Sequence, residues 1–311
     1  MSGYIARRVV QLIPVVFGIT LVLFVLLRLI PGNPASVMLG DHGTDEAVAR
    51  INAQYGLDQP IYIQYIYYVR NLATFNLGTS IRYQVPVAQI LGPRLIVSLS
   101  IVAFTLVLTC LIALPLGVLV ALKKDSLLDN VVRSGFVVVM LMPSFWVGIL
   151  LIIVFSVKLR MFPVAGYGKG PVDILWHLFL PALTIALSLA PVLVRSLRAS
   201  VLEALDADYV KTARAKGLNE QTVVVTHVLR NALIPTITLL GLSIGSLMGG
   251  TVILEKVFAL PGAGALLIDS IGARDYPVVQ AATLIFAALI ILVNLVTDVA
   301  YSFLDPRVRF G

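Results

Sequence analysis

Charge is scarce in this sequence. Asp, Glu, Lys and Arg make up 13% of its 311 residues, about half the share found in a soluble domain. Such a deficit excludes a water-facing globular surface over most of the chain. Cysteine occurs once, as Cys110 within an apolar run, so an intrachain disulfide is excluded and the residue reads as a small core hydrophobe. The three histidines, His42, His177 and His227, are scattered and do not form a credible ligand set. Neither a GxxxxGK[ST] loop nor an HExxH pair occurs, and no segment looks like an ion-selectivity filter. The chain is therefore expected to be no enzyme and to hold no cofactor or metal of its own.

What the sequence has is apolar length. Hydrophobic residues make up 59% of it and its mean hydropathy is +0.97. A helix crosses the hydrocarbon core with about 20 largely apolar residues, and six runs qualify: 9–30, 95–122, 131–157, 174–194, 233–254 and 278–304. The runs are continuous rather than alternating, and backbone groups in lipid must be satisfied within the segment. Both facts favour helices, giving an all-α polytopic membrane protein with six transmembrane helices. Arg7 and Arg8 precede a first run that is too long for a signal-peptide core and lacks a small-residue cleavage site, so it is expected to be retained.

With six crossings, both termini share a side. Of the 23 Lys and Arg residues, 13 fall on that side, while four of the other ten sit in one long loop that carries little topological weight. The termini are expected in the cytoplasm, together with the segments 123–130, 195–232 and 305–311.

Several intramembrane residues invite a reading. Arg28, near the outer end of the first run, can snorkel to the interface. Pro143 and Pro191 are expected to kink their helices, and Met140 and Met142 to pack. Gly241, Gly245 and Gly249 repeat every four residues, which permits close helix packing or a moving interface. Asn294 and Asp298, one turn apart, suit an interfacial or gating contact. In the first outer loop Tyr62, Tyr65 and Tyr68 fall at near-helical spacing, facing the interface or neighbouring helices. The run LPGAGALLIDSIGARDYP reads as a second outer re-entry with a short helix.

One polar, basic stretch interrupts the apolar chain: ADYVKTARAKGLNEQTV, from Ala207 to Val223. It reads as a short amphipathic helix, a Gly217 turn and the start of a second helix. Asp206 and Asp208 favour the helix N-terminus. Val210, Ala213 and Gly217 share a small-residue face that could sit close to a partner, flanked by Lys211, Arg214 and Lys216. A DNA-binding helix-turn-helix is disfavoured because spans tether the segment on both sides. A charged cytosolic loop and a protein-docking helix remain; periodicity does not name the partner.

DYVKTARAKGL followed by HVLRNALIP resembles the cytoplasmic loop of ABC transporter permeases. The resemblance is to the dipeptide/oligopeptide/nickel branch of binding-protein-dependent, type I importers. It extends over nearly the whole chain through RRVVQLIPVVFGITLVLFVLLRLIPGNPA, GLDQPIYIQYIYYV with NLGTSI, MPSFWVGILLIIVFS, FPVAGY, LPALTIAL, LEKVFALPGAG, RDYPVVQAA and DPRVR. It implies the type I permease fold, with an N-terminal helix and large extracytoplasmic loop over 1–94. A five-helix transporter domain over 95–304, with a coupling loop at about 195–232, and a cytoplasmic tail over 305–311 would follow. The implied partners are a second homologous permease, two cytosolic ATPases that bind ATP and Mg, an extracytoplasmic solute-binding protein and the lipid bilayer, with no nucleic acid. The implied place is a bacterial inner membrane, and the implied cargo di- or oligopeptides, with nickel, glutathione or another small solute as alternatives. A secondary transporter without an ATPase is the rival of another class.

The resemblance makes Asp208, Tyr209, Ala213, Arg214, Lys216, Gly217 and Leu218 an ATPase-coupling interface. The chain departs from the broader pattern E-A-A-x3-G-x9-I-x-L-P at Lys211, which stands where the Glu would be, and at Arg230, in place of the final Pro. No acidic role can be carried over to position 211.

Overall fold

The computed structural model describes residues 2–29, 36, 39, 44–54 and 56–304, with side chains described for 14–29, 36, 39, 44–53 and 56–297. Eleven helices of eight or more residues account for most of these. They are α1 (Ser2–Leu29), α2 (Asp45–Gln54), α3 (Ile61–Ala73), α4 (Val87–Leu122), α5 (Leu127–Leu141) and α6 (Ser144–Lys158). After them come α7 (Pro171–Asp206), α8 (Asp208–Ala215), α9 (Glu220–Val257), α10 (Ala263–Gly272) and α11 (Tyr276–Leu304). Pairing of the sheet type is confined, among the described residues, to one bridge between Thr79 and Pro86.

Four of these helices, α4, α7, α9 and α11, are long and apolar enough to cross a membrane, and the α5–α6 pair would make a fifth. The apolar stretch Pro14–Leu29 of α1 is shorter. The protein is thus an all-α, multi-pass membrane protein with four or five candidate crossings among the described residues, where the sequence suggested six.

The third run does not form one rod. α5 and α6 meet at 108°. Met142 is extended (φ −90°, ψ 134°) because the following proline disfavours helical geometry before it, and Pro143 then opens α6. Pro191 behaves differently: both it and Pro181 lie inside α7, which stays helical for 36 residues.

The chain divides into two compact units, 1–98 with 261–291, and 99–260 with 292–311. In the first, α3 lays two of its tyrosines, Tyr65 and Tyr68, on α1. Tyr65 sits edge-on to Phe24 (centroids 5.1 Å apart) and Phe17 (6.0 Å), Tyr68 stacks on Phe24, and Tyr62 is exposed. The α10–α11 turn is tied to the 79–86 loop by the fully buried Asp275 carboxylate, which accepts from the Ser80 hydroxyl and from the Ile81 (3.0 Å) and Arg82 (3.3 Å) amides. A buried carboxylate is tolerable when it accepts several such bonds. The Ala263 amide at the start of α10 donates to Ser98 Oγ at 2.9 Å.

In the second unit α7 is the hub, packed against α5, α6 and α9. A Cβ placed on Gly117 would stand 2.8 Å from Leu197, so α4 can approach α7 this closely only without a side chain there.

Candidate functional site

The polar loop lies at the end of α7. Ala207 leaves the helix with extended geometry (φ −72°, ψ 147°), and α8 follows at once. Its apolar positions are spaced three apart, which puts them on one face. Val210 and Ala213 are buried against Ala121, Leu197, Val201, Ala204, Val223, Val228 and Ala232. Two of the three positions of the small-residue face that the sequence offered to a partner, Val210 and Ala213, are therefore turned into the chain's own core, while Gly217 stays exposed. Small side chains there let α8 sit closely on α7 and the start of α9.

The opposite face is open. Asp208, Tyr209, Lys211, Arg214, Lys216, Gly217 and Leu218 are exposed, Tyr209 and Leu218 at 41% and 40%. Gly217 ends α8 in the left-handed region, at φ +79°. The Gly217 amide donates to Arg214 O (2.9 Å) and the Leu218 amide to Ala213 O (3.4 Å), the paired bonds of a Schellman cap. A Cβ at Gly217 would meet no atom within 4 Å, so its requirement is conformational rather than steric.

Charge braces the turn. Arg214 grips Glu220 with two hydrogen bonds, Nε to Oε2 at 3.2 Å and Nη2 to Oε1 at 2.6 Å. That contact raises the guanidinium's pKa and holds the Glu220 carboxyl below its ordinary range. Asn219 caps α9 by accepting the Thr222 amide at 2.8 Å, while Lys211 pairs with Asp208 at 2.9 Å.

A second brace ties α5 to α7, and the sequence alone does not announce it. Asp129, fully buried in the first turn of α5, receives Arg198 of α7 bidentately, at 2.9 and 2.6 Å. It also accepts the Asp125 amide at 3.1 Å, and Arg133 lies at 3.4 Å. SLLD at 126–129 carries a capping-box-like signature that could have marked Asp129. Its partner, 69 residues away, has no local signal.

The other candidates are not brought together as a set. Gly241 faces Thr297 of α11 so closely that a side chain would collide. Gly245 is half-buried, and Gly249 is exposed, where a Cβ would meet nothing within 4 Å. Asn294 is exposed, and the Asp298 side chain lies outside the described residues, as does His42. His177 Nδ1 lies 2.8 Å from the Asp173 carbonyl oxygen. Among the described residues no group of three or more His, Cys, Asp or Glu could hold a metal.

Residues 113–310 match the family described as binding-protein-dependent transport system inner membrane component, and residues 1–102 match its N-terminal counterpart. The chain belongs to this family. Its relatives place the permease in the peptide/oligopeptide/nickel branch of binding-protein-dependent ABC importers. It is 41% identical over 333 residues to the di/tripeptide transport system permease protein DppB of Pseudomonas aeruginosa, covering 99% of each chain. It is 38% identical over 310 residues to the glutathione transport system permease protein GsiC of Escherichia coli, covering 100% of each. Its fold resembles a chain of the MetNI methionine ABC transporter, with TM-score 0.57 at 17% identity, covering 70% of the permease and 97% of that chain. The protein is thus a transmembrane permease subunit of a multi-subunit importer.

Proposed function

We propose that this permease forms half of a translocation pathway for di- or oligopeptides and that α8 is where a cytosolic ATPase delivers work to it. The observation that carries the second part is the two-faced seating of α8. Its inner face is locked to α7 and α9, and its outer face presents Asp208, Tyr209, Arg214, Lys216, Gly217 and Leu218. Ala213 belongs to this interface as the anchor beneath it, not as a contact. A push on the outer face would move α7 and α9 with the loop, because the Gly217 cap and the Arg214–Glu220 pair resist local yielding. α7, at 36 residues, is about 54 Å long and would carry a small tilt at its base across the bilayer. The population of inward- and outward-open states would then follow the state of the motor.

In this reading α1 supplies the first of six crossings, the α5–α6 pair the third, and both termini and the 195–232 loop are cytoplasmic. The stretch 1–94 acts as an entry helix and extracytoplasmic loop, 95–304 as the transporter domain and 305–311 as a tail. A second permease completes the pathway, an extracytoplasmic binding protein delivers cargo, and two ATPases bind ATP and Mg. Gly241, packed on Thr297, serves as a helix contact, with Gly245, Gly249, Asn294 and Asp298 as further positions on α9 and α11 for packing or gating.

Peptide cargo is supported by the kinship with the di/tripeptide permease; the kinship with the glutathione permease favours a modified tripeptide as the second reading. Titrating the cognate binding protein with di- and oligopeptides, glutathione and nickel complexes decides between them. The coupling role is tested with Gly217→Arg, which places a side chain at φ +79° on the exposed C-terminal end of the loop helix. Co-purification of the ATPase and ATP-dependent uptake should both fall by at least about tenfold, the size of a lost 1–2 kcal/mol cap plus a steric block. Full docking and uptake in that variant would remove α8 from the coupling path.

A further inference from the structure

A cavity of about 430 Å³ opens within the first unit, away from the loop just described in sequence and chemistry. Phe24 and Arg28 of α1, Gln64, Tyr68 and Asn71 of α3, and Gln280 of α11 contribute to its wall. Among the described residues, Arg28 is the only charged one in its lining. The sequence suggested that Arg28 can snorkel to the interface. Its half-buried guanidinium lies 3.7 Å from the Phe24 ring centroid and is fixed by Gln64. Arg28 Nε donates to Gln64 Oε1 at 3.1 Å, and Nη2 donates to the same oxygen.

Gln64 is itself oriented. Its amide nitrogen donates to the backbone oxygens of Gln59 (2.7 Å) and Leu57 (3.2 Å), which directs its oxygen at Arg28. The guanidinium is therefore positioned by a neutral carboxamide, and among the described residues no carboxylate compensates its charge. Arg28 Nη1 is buried without a hydrogen-bond partner there, and so is the Tyr68 hydroxyl. Buried donors of this kind are costly and call for a partner. Burial, with Tyr65 adding to it, pushes the Tyr68 phenol up to about 12, so the hydroxyl keeps its proton and can donate at physiological pH.

We propose that this cavity is a binding site for an oxyanion, a carboxylate or phosphate, held by Arg28 Nη1 with the Tyr68 hydroxyl as second donor. A guanidinium presents N–H groups suited to two-oxygen acceptors, and the cavity lies within the roughly 300–1,000 Å³ range of small-ligand sites. The oxyanion can come from a soluble solute or from a phospholipid headgroup. The assignment is independent of the cargo and of the coupling role of α8.

The test uses the full chain assembled with its partner subunits, delipidated in detergent and titrated calorimetrically. The probes are Ala-Ala, inorganic phosphate, and phosphatidylglycerol in mixed micelles, with the amide of Ala-Ala as the uncharged control. At least one anionic probe should bind saturably while the amide does not. Arg28→Gln should weaken that binding by about tenfold or more, and Tyr68→Phe by roughly three- to tenfold, as expected for lost hydrogen bonds to a charged group. Binding of Ala-Ala or phosphate alone that is lost in Arg28→Gln identifies a soluble ligand, and Arg28-dependent binding of phosphatidylglycerol alone a lipid. Absence of binding by all three anions, or unchanged binding in Arg28→Gln, overturns the site. Should Arg28→Gln fail to assemble, Tyr68→Phe keeps the ring on Phe24 and decides alone, unchanged affinity overturning the proposal.

Discussion

α8 and α3 are both short helices outside the long apolar ones, yet they are held by opposite means. α8 spends its inner face on Val210 and Ala213, so its backbone sits close to its neighbours and both side chains are buried. α3 has no fully buried residue and rests on α1 through the rings of Tyr65 and Tyr68. Small residues bring backbones together and leave little to deform. Aromatic rings hold them apart, and next to α3 that separation accompanies a cavity. A helix meant to pass on a force suits the first design, and one meant to shape a binding wall suits the second.

The contrast breaks most severely at the α8 seat. Val210→Asp would put an unpaired carboxylate at a site with no exposure, a cost on the order of 4 kcal/mol. Thermal unfolding of the purified complex should shift down sharply, and ATP-dependent uptake should be lost. Wild-type melting and uptake in this variant would mean that α8 does not sit where its packing puts it.

How much of this was legible beforehand follows from the range of each signal. The helix, turn and second helix of 207–223 were readable because amphipathic spacing, an acidic first turn and a C-terminal glycine are local. The direction of the small-residue face was not. Val210 and Ala213 suit a partner's surface as well as Ala121 or Leu197, and only the tertiary structure chooses. The break at Met142–Pro143 was signalled by the proline, but the same signal at Pro191 produced no break. Arg198 and Asp129, or Arg28 and Gln64, meet across distant segments, and nothing local pairs them.

A milder change probes the other helix. Tyr65→Ala removes ring contacts with Phe17 and Phe24 and a 3.2 Å hydroxyl contact with Thr20. With aromatic pairs worth about 0.5–1.5 kcal/mol each beyond the area they bury, the α1–α3 packing should weaken by roughly 2 kcal/mol. Stability of the complex should drop measurably while ATPase docking, read by co-purification, stays at the wild-type level. Docking lost in proportion to stability would erase the distinction between the two helices.

The smallest effect belongs to the exposed Arg214–Glu220 pair, which lies in solvent and is screened by it. Its pH dependence has a definite sign. Arg214 holds the Glu220 carboxyl below its ordinary value, so the contribution is complete above the ordinary carboxylate range and fades as the pH falls through the lowered folded value. Glu220→Gln should therefore leave global melting nearly unchanged at neutral pH. It should still speed amide exchange around Gly217 and Leu218, where the pair braces the cap. The difference from wild type should shrink at high salt and vanish at acidic pH. A difference insensitive to both would show that the brace acts through packing of the Glu220 side chain instead of its charge.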